Sequence, residues 1–154
     1  MERLDNELDI CYNNKFYRAD QGFLGINRAL RYGDGIFESI RIIDGKPAFL
    51  EYHLNRIHAA LEALKIKSSK EKIQEIQLCI DQIIVRNEIE KGGYLRLTIF
   101  RAGLGKYTPQ DHQLDYIIEA DKLEHNNFKF NSKGLKIDIS KEAEIFPSAI
   151  STFK

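Results

Sequence analysis

Between Ile36 and Leu64 the spacing of apolar side chains changes once, from every second residue to every third or fourth. Ile36-Phe37-Glu38-Ser39-Ile40-Arg41-Ile42-Ile43 is rich in β-branched residues, which suit a pleated strand. Its alternation puts Phe37, Ser39 and Arg41 on one face and Glu38, Ile40 and Ile42 on the other. Asp44-Gly45 marks a hairpin turn, and Pro47-Ala48-Phe49 begins the return. From Leu50 the spacing is helical: Leu50, Leu54, Ile57, Leu61 and Leu64 form a stripe, with Glu51, Asn55, His58 and Glu62 mostly opposite. His53 falls near the edge of the stripe and Arg56 farther out. Upstream, Gly33 and Gly35 bracket Asp34, which predicts a turn with dihedrals that glycine adopts most cheaply. A turn, a hairpin and a helix in succession can hold a strand face and an arginine against one ligand.

The flanking chain extends this pattern. Ile10-Cys11-Tyr12 and Lys15-Phe16-Tyr17 flank Asn13-Asn14 as a short hairpin. Residues 19–35 read as a loop with a possible helical turn around Asn27–Leu30. Ser68 with Glu71 has the spacing of a capping box. The helix it opens presents Ile73, Ile76, Ile80, Ile83 and Ile84 on one side and runs to about Asn87, with Gly92-Gly93 ending the helical region. Tyr94 to Arg101 alternates, with Leu95, Leu97 and Ile99 on one face and Tyr94, Arg96, Thr98 and Phe100 on the other. A loop from Arg101 to Pro109, strands at Leu114–Ala120 and Leu135–Ile139, and a polar stretch between them complete the series.

Charge and composition exclude several classes of function. Lys plus Arg equals Asp plus Glu at 23 each, so no net field draws the chain to nucleic acid or a membrane. No apolar run has the length of a membrane span, and Met1–Asp5 lacks the basic and apolar regions of a signal peptide. Cys11 and Cys79 are too few and too far apart for a disulfide framework or a zinc site, so reduced thiols in a cytoplasmic protein are expected. His53 and His58 are five apart and diverge on a helix, so no metal is expected there. Gly103-Leu104-Gly105 does not sit between a strand and a helix, which argues against a dinucleotide site. Each arginine alone reads as a surface residue. Arg41, Arg56 and Arg96 on adjacent elements, near aromatic residues, instead suggest a pocket for a small anion such as carboxylate or phosphate.

The run Arg31-Tyr32-Gly33-Asp34-Gly35-Ile36-Phe37-Glu38-Ser39-Ile40-Arg41, with Leu50-Glu51-Tyr52-His53-Leu54-Asn55-Arg56, resembles the N-terminal domain of the class IV, fold type IV pyridoxal-phosphate enzymes. These include branched-chain aminotransferase, D-amino-acid aminotransferase and 4-amino-4-deoxychorismate lyase. Tyr94-Leu95-Arg96-Leu97 fits the same family, and Arg101-Ala102-Gly103-Leu104-Gly105 looks most like the lyase loop. Pro147 to Lys154 looks like the approach to the family's cofactor lysine. The resemblance implies that Arg56 binds the phosphate of pyridoxal 5'-phosphate and that Lys154 is the Schiff-base lysine and proton carrier. It also implies that Phe37 and Arg41 line the substrate pocket, that Tyr94 and Arg96 seat the substrate carboxylate, and that a second subunit of a homodimer completes the site.

The expected fold is therefore α+β: an antiparallel sheet with two helices on one face, plus the start of a second β-rich domain. Residues 1–120 would form the small domain, 121–133 an interdomain linker and 134–154 the first part of the cofactor domain. The resemblance implies transamination between an amino acid and a 2-oxo acid, with aminodeoxychorismate lyase as the second reading. Members of the family carry almost as much chain again after the lysine. The 154 residues alone are thus expected to be inactive, and the alternative from another class is a folded association domain without cofactor.

Overall fold

The computed structural model describes residues 8–21, 27–130 and 132–139. Strands β1 (Asp9–Tyr12) and β2 (Lys15–Arg18) form the first hairpin. A 3-10 turn at Ala19–Gln21 and a short helix α1 (Arg28–Tyr32) lead into β3 (Gly35–Ile43) and β4 (Lys46–Pro47). Helices α2 (Leu50–Ala63) and α3 (Lys70–Arg86) follow, then β5 (Gly93–Arg101) and β6 (Leu114–Lys122). The strands make one antiparallel sheet in the order β2-β1-β6-β5-β3-β4.

Both hairpin turns have two consecutive residues in the left-handed region: Asn13 and Asn14 in the first, Asp44 and Gly45 in the second. That is the backbone of a two-residue turn whose twist matches its strands. Gly33, with φ +61°, ends α1, and its N–H reaches the carbonyl of Ala29. Gly35 is required for a different reason. A Cβ there would lie 2.6 Å from the carbonyl oxygen of Ile99 on β5.

Helices α2 and α3 cover one face of the sheet, and the core lies between them. Ile57, Ala60, Leu61, Ile76, Ile80, Ile83 and Ile84 from the helices meet Ile36, Ile40, Ile42, Leu95, Leu97, Ile99 and Ile118 from the strands. Leu50, Leu54 and Leu64, the rest of the α2 stripe, pack on the rim of this core.

Three local expectations are corrected. The cap of α3 is Ser69 rather than Ser68; its hydroxyl accepts from the N–H of Lys72. Helix α3 ends at Asn87, as expected, but what stops it is Glu88 at φ +51° rather than Gly92-Gly93. Helix α2 ends the same way, with Lys65 at φ +55°. In each case the next residue, Ile89 or Ile66, is buried and donates back five residues, to Ile84 or Leu61. This is the Schellman arrangement with a non-glycine in the left-handed position. Finally, Leu135–Ile139 is not a strand: Leu135, Ile137 and Ile139 are all more than four-fifths exposed. A strand needs a partner for its backbone groups, and no described strand lies beside this segment.

Candidate active site

The alternation of β3 separates the expected site residues onto two faces. Phe37, Ser39 and Arg41 lie on the face away from the helices. Cross-strand pairing sets Tyr94 opposite Arg41, Arg96 opposite Ser39 and Thr98 opposite Phe37. Phe37, Arg41, Tyr94 and Arg96 are thus brought together. The Arg96 guanidinium carbon sits 4.0 Å from the centroid of the Phe37 ring, a cation–π contact that orients the charge. Glu119 pairs with Arg96 from the β6 side, yet no carboxylate comes within ion-pair distance of Arg96 among the described residues. Tyr94 is half exposed, and α2 and α3 pack on the opposite face.

Arg56 is not with this group. It projects from α2 toward the helix side of β3, where its Nε and Nη2 donate to Glu38 at 3.0 and 2.6 Å. His53, one turn earlier on α2, places Nδ1 2.6 Å from the same carboxylate. The single pocket expected from Arg41, Arg56 and Arg96 is therefore two arrangements on opposite faces of one strand. The cause is the strand period: Glu38 and Arg41 are three apart, so they point in opposite directions. Glu38 is only 4% exposed, whereas the Arg56 side chain is 47% exposed. Burial pushes the Glu38 carboxyl up, but the hydrogen bonds from Arg56 and His53 outweigh it and hold it below the usual carboxylate range. The hydrogen bond to Glu38 in turn raises Arg56. Nη2 also lies 2.8 Å from His53 Nδ1, so among the described residues only Nη1 of Arg56 has no hydrogen-bond partner, and one nitrogen of this fixed cation remains available.

Sequence reasoning missed a second ion cluster. Asp34 Oδ2 accepts from Arg28 Nε at 2.7 Å and from Arg101 Nε at 3.0 Å, and both arginines are buried. Arg101 also donates to the carbonyls of Leu64 and Lys65, closing the end of α2. Asp34 thereby fixes the turn that launches β3. It was expected to be only a turn residue, because its partner Arg101 is 67 positions away and leaves no local pattern.

Lys154 lies outside the described residues, as does the whole Pro147–Lys154 segment.

The family model for amino-transferase class IV matches residues 35–151. The chain belongs to the class IV aminotransferase family. Within that family it is 36% identical over 73 residues to aminodeoxychorismate lyase of Bacillus subtilis, covering 47% of this chain and 22% of the lyase. It is 27% identical over 119 residues to D-alanine aminotransferase of Listeria monocytogenes, covering 73% of this chain and 38% of that enzyme. The structure of branched-chain amino acid aminotransferase from Escherichia coli superposes with a TM-score of 0.64 at 26% identity, over 76% of this chain and 41% of that one. This class IV chain spans well under half the length of the relatives it matches.

Proposed function

We propose that the full-length protein is a pyridoxal-phosphate-dependent aminotransferase that moves an amino group between an amino acid and a 2-oxo acid. The observation that carries the cofactor assignment is the Glu38–Arg56 pair. A permanently charged guanidinium is held by a buried carboxylate and keeps an unpartnered nitrogen at the surface, which suits a phosphate dianion. Pyridoxal phosphate, when bound, supplies an aldehyde for amine exchange and an electron sink for the substrate α-carbon. Arg56 would hold its phosphate and Lys154 would anchor it covalently. A neutral lysine amine both attacks and carries a proton.

Arg96 is the candidate carboxylate ligand. It is oriented by Phe37 and has no ion-pair partner among the described residues, and Tyr94 contributes a half-exposed phenol on the same face. Around Tyr94 and Arg96 that face is exposed, and a second subunit covering it would exclude water from the reaction. A homodimer in the cytoplasm, with two reduced cysteines, is the assembly this reading requires.

A second reading, aminodeoxychorismate lyase, is favoured by the 36% identity to the Bacillus subtilis enzyme over 73 residues. Release of pyruvate from aminodeoxychorismate identifies the lyase; formation of a new oxo acid from an amino acid identifies the transaminase.

The deciding experiment adds pyridoxal phosphate to the full-length protein, reduces with borohydride and maps the labelled peptide. The label is expected on Lys154, and Arg56→Ala is expected to weaken cofactor binding roughly 10- to 100-fold, the worth of a charged hydrogen bond. Label on another lysine overturns the assignment. Absence of any label favours an association domain without cofactor.

A further inference from the structure

Residues 123–128 cross the β3–β4 turn as a docked strap. The N–H of Leu123 donates to Gly92 O at 2.9 Å. The Asn126 amide closes a reciprocal pair with Asp44, accepting from the Asp44 N–H at 2.8 Å and donating to its carboxylate. Phe128 rests on Phe49 with ring centroids 6.3 Å apart. Gly92 makes the approach possible: a Cβ there would fall 2.2 Å from the carbonyl oxygen of His125.

Arg41 completes the strap. Its Nη2 donates to the carbonyl of His125 and, at 3.2 Å, to that of Asn127. Its Nε is buried with no hydrogen-bond partner among the described residues. An arginine grips a carboxylate with two nitrogens of one edge. Both such edges of a guanidinium include Nη2, which here is committed to two main-chain carbonyls. The nitrogen that a forked grip requires is thus taken by the protein itself.

We infer that Arg41 is a positioning residue rather than a substrate ligand: it clamps residues 123–128 onto the β3–β4 turn and so fixes the direction in which the chain leaves the sheet. Its bearing on catalysis, through the main chain that links the sheet to Lys154, rests on the cofactor reading above. The clamp itself does not.

One nitrogen bridging two carbonyls can be replaced by an ammonium, which carries three donors. A forked carboxylate ligand cannot be replaced that way. The test is native-state cleavage at Glu124, inside the strap, by a glutamate-specific protease acting on the full-length protein without cofactor. Arg41→Met is expected to raise the initial rate at Glu124 at least tenfold, and Arg41→Lys to stay within about threefold of the parent, by the loss or retention of charged hydrogen bonds. Gly92→Ala, which leaves Arg41 intact, is expected to expose Glu124 as Met does, and it decides the matter should Arg41→Met not fold. An unchanged rate in Arg41→Met, an Arg41→Lys rate equal to that of Met, or an unchanged rate in Gly92→Ala overturns the clamp. Because no cofactor is present, the result is independent of where borohydride places its label.

Discussion

Two carboxylates four residues apart, the partly buried Asp34 and the buried Glu38, are each satisfied by cations from other segments. Removing the charge of Asp34 would leave Arg28 and Arg101 buried without a counter-ion. Asp34→Asn is therefore expected to cost about 3–5 kcal/mol, read from urea unfolding. Glu38→Gln is expected to cost less, because Arg56 is half exposed and water can solvate it. Both carboxyls are held below their ordinary range. Their contribution is then fully present above the unfolded value of about 4, and is lost as pH falls through the lower folded values. Melting temperature should accordingly drop more steeply below about pH 4 in the parent than in Asp34→Asn. The place of Glu38 on the apolar face of β3 was read from the sequence, but its pairing with His53 and Arg56 was not, because Arg56 was expected beside Arg41 and Arg96. Nor was the pairing of Asp34 read, because its turn context already accounted for it.

The elements follow the sequence closely wherever period alone decides. The hairpin turns, the α2 stripe and the alternation of β3 and β5 stand as expected. The end of α3 near Asn87 also stands as expected, but the residues that make the stops, Lys65 and Glu88, occupy positions where glycine is usual and carried no signal of it. What stops each helix is the burial of the following isoleucine, a tertiary event. Lys65→Gly and Glu88→Gly should each raise stability by about 0.5–1 kcal/mol by thermal melting, since the left-handed backbone costs an L-residue more than that gain. Gly35→Ala should act in the opposite direction, because its Cβ meets backbone on β5 that cannot yield. Leu135–Ile139 shows the limit of local pattern. Alternating apolar residues predict a strand only where another strand lies alongside.

Strand order belongs to the whole molecule, and no segment of the sequence announces it. β5 pairs with β3, 50 or more residues earlier, and β6 reaches back to β1. Burial in the finished core can be followed through the cysteines. Cys11 and Cys79 are both buried, and burial, followed by the charge of Cys79, pushes the Cys11 thiol up to about 12. Ellman's reagent at pH 8 is therefore expected to modify both thiols only at the rate of global unfolding; prompt reaction of either would show that the helix layer opens locally. The outermost strands carry a last consequence. β2 has four residues and β4 only two, one of them Pro47, which has no N–H to offer. Among the described residues, neither margin offers a long row of free main-chain groups for ribbon-to-ribbon zippering. The homodimer proposed above would therefore have to be held through side chains rather than by extending the sheet.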